Sequence, residues 1–280
     1  MFLATQTQSL SRRFGDERAI ALCAAAGFDA LDYSMLSYDA ASPVFKSGFE
    51  AYARRLRACA EERGMFFCQA HAPFDLAPGE DGLASHTAHV TRAVAFAGLL
   101  GAGAIAVHPL MHGRGEARLK RNAAFFEKLL PAARDYEIRI AVENLFARNT
   151  RSGAFEEGVC SDPREHAQYV DAFGEHFAAC LDVGHCRLVG RDPAAAVRAL
   201  GGERLAALHV HDNDLHEDRH ALPYLGGTDW LSFMRALADV GYDGALSFEA
   251  HGFLDAFPDE LLPEALRLLE RSGRQLIGLA

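Results

Sequence analysis

Histidines and carboxylates recur in this chain directly after short apolar runs. His71 follows FFCQA, His108 follows AIAV, Glu143 follows IRIAV and Glu249 follows ALSF. Asp182 and His185 close FAACLDVGH, and His209 and His211 close LAALHVH. Asp218 and His220 lie in the segment after that, and His251 stands just beyond Glu249. A carboxylate buried at the end of an apolar strand costs several kcal/mol unless it is paired or bound to a metal. Glu143, Asp182 and Glu249 brought together without a cation would repel one another or take up protons. No Lys or Arg occupies a matching inward position. Imidazole with carboxylate is a ligand set for Mn, Co, Zn or Fe, so a divalent metal (Mn, Co, Mg or Zn) is the expected cofactor.

The elements that would position these groups are legible as alternating patterns. Eight β-rich runs are FLATQTQS, FDALDYSM, MFFCQAHAP, AIAVHP, IRIAVENL, FAACLDVGH, LAALHVHDN and GALSFEA. Helical segments separate them. DERAIALCAAAG and FEAYARRLRACAEERG end in glycine stops, while Asp162-Pro163 and Asp192-Pro193 are helix starts with Pro at the first helical position. Nearly continuous apolar runs such as IRIAV mark parallel strands buried on both faces. Eight strands alternating with helices in 280 residues predict an α/β fold, a (β/α)8 TIM barrel forming one domain over 1–280. No glycine-rich dinucleotide fingerprint or phosphate-loop signature supports the alternative, an open doubly wound sheet. In a barrel the strands' C-terminal ends carry the chemistry, and here those ends are the polar ones. Period-two alternation puts His209 and His211 on one face, with His209 the deeper.

The bulk properties bound the partners. Half of the residues are apolar and 24% are charged, with a formal net charge of −10, which disfavours nucleic acid held on a broad basic surface. No apolar run reaches the roughly 20 residues of a membrane helix. The N-terminus lacks the basic start of a signal peptide. The six cysteines show no Cys-x-x-Cys spacing, so a reducing compartment, the cytoplasm, is expected.

In order along the chain, HAPF, VHP, VEN, LDVGH, HVHDND, DRH, GGTDW and FEAH resemble the motifs of the xylose isomerase-like barrel superfamily, also called the AP endonuclease family 2 barrels. The likeness runs from SLSRRFGDE to SFEAH. It implies a Glu, Asp, His, Glu quartet on one divalent metal, as in ketose 3-epimerases, which falls on Glu143, Asp182, His209 and Glu249. It implies a substrate contact at His185. Those epimerases carry a further Glu where this chain has Asn149 and a substrate Arg where it has Leu215. Relatives similar to inosose dehydratases and sugar phosphate isomerases fit equally well.

The expectation that follows is a metal-dependent isomerase or epimerase, acting on a sugar or sugar phosphate by proton transfer next to a carbonyl. Glu143, Glu249 and His185 would be catalytic. His71, His108, His185, Asp218 and His220 would hold a second metal or the substrate. Type IV apurinic/apyrimidinic endonucleases, which belong to the same superfamily and carry three zinc ions, give the alternative: their nine ligand positions can be placed on His71, His108, Glu143, Asp182, His185, His209, Asp218, His220 and Glu249. An inosose dehydratase-like lyase is a further alternative. Against the nuclease stand the glycine in LDVGHC and the absence of an Asn-Asp-Ser/Ala-Lys run in HVHDND. Phe74 is read as an apolar wall and Trp230 as helix-start packing or a cover for the mouth. Arg148, Arg151 and Arg187 are read as surface charge or anion receivers. His86, His89, His112, His166 and His176 are read as surface residues. A homo-oligomer is compatible with the fold.

Overall fold

The computed structural model describes residues 1–74 and 79–280. All eight expected strands are present: β1 (Phe2–Gln6), β2 (Ala30–Ser34), β3 (Phe66–His71), β4 (Ala104–Val107), β5 (Arg139–Glu143), β6 (Phe177–Asp182), β7 (Leu205–His209) and β8 (Ala245–Phe248). They pair in parallel in the order β8-β1-β2-β3-β4-β5-β6-β7. A parallel bridge between Val210 and Phe248 joins the two edges, with Val210 N donating to Ser247 O at 2.8 Å and Glu249 N to Val210 O at 3.1 Å. Helices connect the strands, so the architecture is an α/β TIM barrel.

Alternation divides each strand between two cores. Leu3, Leu31, Phe67, Ile105, Ile140, Val142, Leu181, Leu208 and Leu246 point outward into the large core shared with the helices. Ala4, Ala30 and Ala245, and Ala104, Ala106, Ala141, Cys180 and Ala207, form small-residue clusters inside the barrel. Small residues at the bottom leave the upper interior to polar side chains. Two register shifts set which ones point in. Leu31 pairs with Phe67 but Asp32 with Gln69, and Ala179 pairs with Leu205 but Cys180 with Ala207. Each extra residue resets the alternation of its strand, which is how a bulge re-aims side chains. Gln69 and His71 on β3, and His209 on β7, thereby face inward.

The outer helices form for the reasons their sequences give. Asp162 accepts from Arg164 N and Asp192 from Ala194 N, and Pro opens both helices, Pro163–Phe173 and Pro193–Leu200. Asp229 caps Trp230–Asp239 by accepting from Ser232 N. The C-terminal helix, Leu262–Ile277, buries Leu262, Ala265, Leu266, Leu269, Gly273 and Leu276, the stripe of a helix lying on a sheet. No helix among the described residues is long and apolar enough to cross a membrane. Two antiparallel strands, Phe146–Arg148 and Phe155–Glu157, form a hairpin in the loop after β5 that the sequence did not announce.

Candidate metal centre

Three histidines at the barrel mouth share one construction. His71 Nδ1 lies 2.7 Å from Ala72 O, His185 Nδ1 lies 3.0 Å from Asn144 O, and His220 Nδ1 lies 2.9 Å from Glu249 O. A carbonyl accepts only, so each Nδ1 carries the proton and donates. Each Nε2 is thereby left as the atom aimed into the site. His71 Nε2 and His108 Nε2 both face Glu143 Oε2, at 3.2 and 3.3 Å. His185 Nε2 and His220 Nε2 both face Asp218 Oδ2, at 3.3 and 3.1 Å. Anchoring one ring nitrogen so that the other is presented is the arrangement that orients metal-binding histidines.

His209 lies between the two groups and is fully buried. Its Nδ1 is 3.2 Å from Glu143 Oε1 and 3.1 Å from Glu249 Oε2. Gln6 Nε2 donates to the other oxygen of Glu249 at 3.0 Å. Asp182, at the end of β6, caps the helix Val183–Leu188 by accepting from His185 N. Its carboxylate also faces His211 Nε2 at 3.1 Å. Asn144 brackets the Asp182 backbone, accepting from its N–H at 2.7 Å and donating to its carbonyl at 3.0 Å.

The absence of a Lys or Arg partner among the described residues matches the expectation from the sequence, but the protonation differs: the imidazoles between the acids, rather than the carboxylates, favour the protons. Among the described residues no Lys or Arg pairs with Glu143, Asp182, Asp218 or Glu249; their partners are imidazoles. Burial raises the Glu143 carboxyl, but the imidazoles of His209 and His108 outweigh it and hold Glu143 well below the usual carboxylate range. Glu249 is likewise lowered, against its burial, by His209 and His220. Burial raises Asp218 too, but His185 and His220 outweigh it and hold the carboxyl well below its usual range. Burial lowers His185 and His209, yet Asp182, Asp218 and Glu143 raise His185, and Cys180 with Glu249 and Glu143 raises His209, both well above an ordinary imidazole; His220, against its burial, rises to about 9 beside Asp218.

Glu143 Oε2, Glu249 Oε2 and Asp218 Oδ1 are buried without a hydrogen-bond partner. Such orphaned oxygens ringed by imidazole nitrogens fit a divalent cation. His71, His108 and Glu143 present one compact triad, His71, His209 and Glu249 a second, and His185, Asp218 and His220 a third, each with its donor atoms within 4.8 Å of one another.

Other readings come out unevenly. Phe74, exposed, stands beside the His108 ring at 4.9 Å. Phe146, from the unannounced hairpin, lies 4.9 Å from His185 and adds a second aromatic wall. Trp230 is buried at its helix start, the packing role. Arg148 folds back on its hairpin, donating to Gly153 O, and Arg151 lies exposed in the same turn. Asn149 also belongs to that turn, accepting from Arg151 N and Ser152 N. His251 is half-buried, and its ring stacks on His220 at 3.9 Å. The surface assignment fails for His86 and His166, both buried. His166 shares its helix face with the buried Tyr169 and Val170 and makes a hydrogen bond to Val142 O at 2.7 Å; its position in the stripe, not its polarity, decides its place. His86 stacks on Phe125. His89 and His176 are half-buried, and His112 is exposed. Asp32, Gln6 and Gln69 escaped the sequence reading because nothing marks an isolated polar residue inside a strand as facing the site.

Comparison with known proteins places the fold. The protein MJ1311 of Methanocaldococcus jannaschii is 28% identical over 154 residues, covering 54% of this chain and 50% of that protein. The chain therefore spans about half the length of that relative in the match. A D-tagatose 3-epimerase-like protein superposes with a TM-score of 0.70 at 20% identity, covering 97% of this chain and 99% of its own. A D-psicose 3-epimerase with D-tagatose from Clostridium cellulolyticum superposes with a TM-score of 0.74 at 16% identity, covering 99% of each chain. At such identities these two likenesses establish the fold. The model of the xylose isomerase-like TIM barrel matches residues 20–272, from the helix before β2 through the C-terminal helix, and the chain belongs to that family.

Proposed function

We propose that this protein is a divalent-metal-dependent isomerase or epimerase of a sugar or sugar phosphate. The observation that carries the reading is the placement of two carboxylates, Glu143 and Glu249, on one buried imidazole nitrogen, His209 Nδ1, at 3.2 and 3.1 Å. Glu143, Asp182, His209 and Glu249 would hold the ion. A divalent cation there would act as a Lewis acid on a carbonyl and its neighbouring hydroxyl, acidifying the adjacent C–H. Glu143 or Glu249 would remove that proton, and the other would return it to the opposite face or to the neighbouring carbon. This is acid–base work by two carboxylates in different surroundings: Glu143 meets histidines on both oxygens, whereas Glu249 meets His209 on one oxygen and Gln6 on the other. His185 would orient a hydroxyl. Phe74 and Phe146 would provide an apolar border. The superposable 3-epimerases agree with this reading. Solvent-deuterium incorporation into ketoses and sugar phosphates, read by mass spectrometry, tests it; no incorporation in the metal-loaded protein across the panel counts against it.

One observation favours a second reading. Beyond the quartet, the triad His71/His108/Glu143, which shares Glu143 with it, and the triad His185/Asp218/His220 offer further ligand sets, suited to several ions and to hydrolysis of a phosphodiester. Metal content after mild chelation and refilling separates the two. One equivalent of Mn, Co or Mg goes with sugar chemistry, whereas three tightly held zinc ions with cleavage of an abasic-site duplex go with the nuclease.

A further inference from the structure

Behind His209, on the side away from Glu143 and Glu249, stands a carboxylate. Asp32 is fully buried at the inward face of β2. Its Oδ2 lies 3.6 Å from His209 Nε2. The same oxygen accepts from Gln69 Nε2 at 2.8 Å and from Ser247 Oγ at 3.1 Å. Gln69 is fixed in turn by donating to Leu208 O at 3.1 Å, one residue before His209. His209 Nε2 and Asp32 Oδ1 are both buried without a hydrogen-bond partner among the described residues. The 3.6 Å between Nε2 and Oδ2 is just beyond hydrogen-bond length, and Asp32 is the carboxylate that stands beside this unpartnered nitrogen.

His209 is the exception to the construction of its neighbours. His71, His185 and His220 anchor Nδ1 on a backbone carbonyl and present Nε2. His209 presents Nδ1, and no carbonyl lies on its Nε2. Resting on the metal-centre reading above, we propose that Asp32 is the positioning residue of His209. Its carboxylate accepts the Nε2 proton, which fixes the ring orientation so that Nδ1 is aimed between Glu143 and Glu249 and becomes the ligand atom when an ion displaces its proton, and it raises the basicity of the ring as a ligand. A carboxylate behind a metal-bound imidazole does this generally, and its loss weakens metal binding by roughly 10–100-fold. Gln69 and Ser247, whose protons both fall on Oδ2, hold Asp32 in place. The bulge in β3 that turns Gln69 inward is thus part of the same device.

The test uses the zinc-loaded full chain with 15N-labelled histidine. In the wild type, His209 is expected to be zinc-bound through Nδ1, with a protonated, slowly exchanging Nε2. Asp32→Asn keeps the shape and removes the charge. It is expected to speed exchange of the Nε2 proton, shift its resonance and weaken zinc, measured by competition with a chromophoric chelator, by about tenfold or more. Ser247→Ala, which leaves Asp32 in place but frees one side of it, is expected to weaken zinc by a smaller factor and serves if Asp32→Asn does not fold. Unchanged zinc affinity in both variants, or zinc bound to His209 through Nε2, overturns the role of Asp32 while leaving the metal centre intact. A wild type that binds no zinc removes the metal centre itself, and that result is seen before any substitution is made.

Discussion

The imidazole of His211 fills the space that a side chain at position 184 would need. A Cβ built on Gly184 would collide with the His211 ring. Gly184 does not lie among the positive-φ glycines, so it is present for space rather than for backbone freedom. The ring that uses this space faces Asp182 at 3.1 Å, and Asp182 caps the helix on which Gly184 stands. The glycine in LDVGH and the second histidine in HVHDND are thus two halves of one contact.

That contact predicts strong coupling. Gly184→Ala alone should destabilise the protein by about 1–3 kcal/mol, the usual cost of forcing atoms into a filled space, and should push His211 off Asp182. His211→Ala alone should also destabilise, by stranding a buried carboxylate. The double variant should lose less than the sum, because the methyl then enters a space that the ring has left. Urea unfolding of the four proteins measures the coupling, and strict additivity would refute the fit.

A second prediction concerns the two acids. Glu143→Gln and Glu249→Gln preserve shape and hydrogen-bonding reach but cannot accept a proton. Each should slow solvent-deuterium exchange into the substrate by at least 10²-fold, the lower range for loss of a general acid or base. Far-UV circular dichroism should be unchanged. Exchange that survives in both variants would assign the proton transfer to other groups.

Much of this was legible in the sequence, for identifiable reasons. Strand ends such as Glu143, Asp182 and Glu249 could be read because each interrupts an apolar run, and a barrel brings all such ends to one mouth. Helix starts at Asp162 and Asp192 could be read because capping is local. Asp32 could not be read because it lies inside its strand rather than at the polar end, and Gln69 because the bulge in β3 resets the alternation that would tell which way it points. Phe146 was hidden for another reason: its hairpin strands are only three residues each, too short to show a pattern, although Asn149 and Gly153 shape the turn between them. The exclusively local signals of His86 and His166 misled, because burial on a helix is set by the stripe a residue falls in.

A third prediction follows from the charge balance without metal. His185 and His209 are raised well above an ordinary imidazole, and His220 to about 9, so near neutral pH the metal-free site holds protons where the ion would be. An imidazole must be neutral to bind a metal. Binding therefore releases protons, and apparent affinity should climb as pH rises from 6.5 towards about 9. Titration calorimetry in buffers of different ionisation enthalpy should show proton release. A buffer-independent enthalpy together with a pH-independent affinity would contradict the proton-filled site.

His166 gives the fourth prediction, with the opposite sign and away from the mouth. Burial lowers its pKa to about 4, although the bond to Val142 O works against that shift. An unfolded chain's histidine takes up a proton near pH 6.5, whereas the folded ring resists until about 4. Below pH 6.5 the unfolded state thus binds the extra proton, and the folded state loses stability as pH falls from 6.5 to 4, by up to about 3 kcal/mol. The contribution is fully present above pH 6.5 and levels off below 4, once both states are protonated. His166→Gln keeps a side-chain N–H for the Val142 carbonyl but has nothing to titrate. The stability difference between wild type and His166→Gln, measured by denaturant unfolding, should therefore change across this interval in the wild type's disfavour as acid is added. A difference that stays flat from pH 7 to pH 4 would mean that the ring is solvated enough to accept its proton in the folded protein.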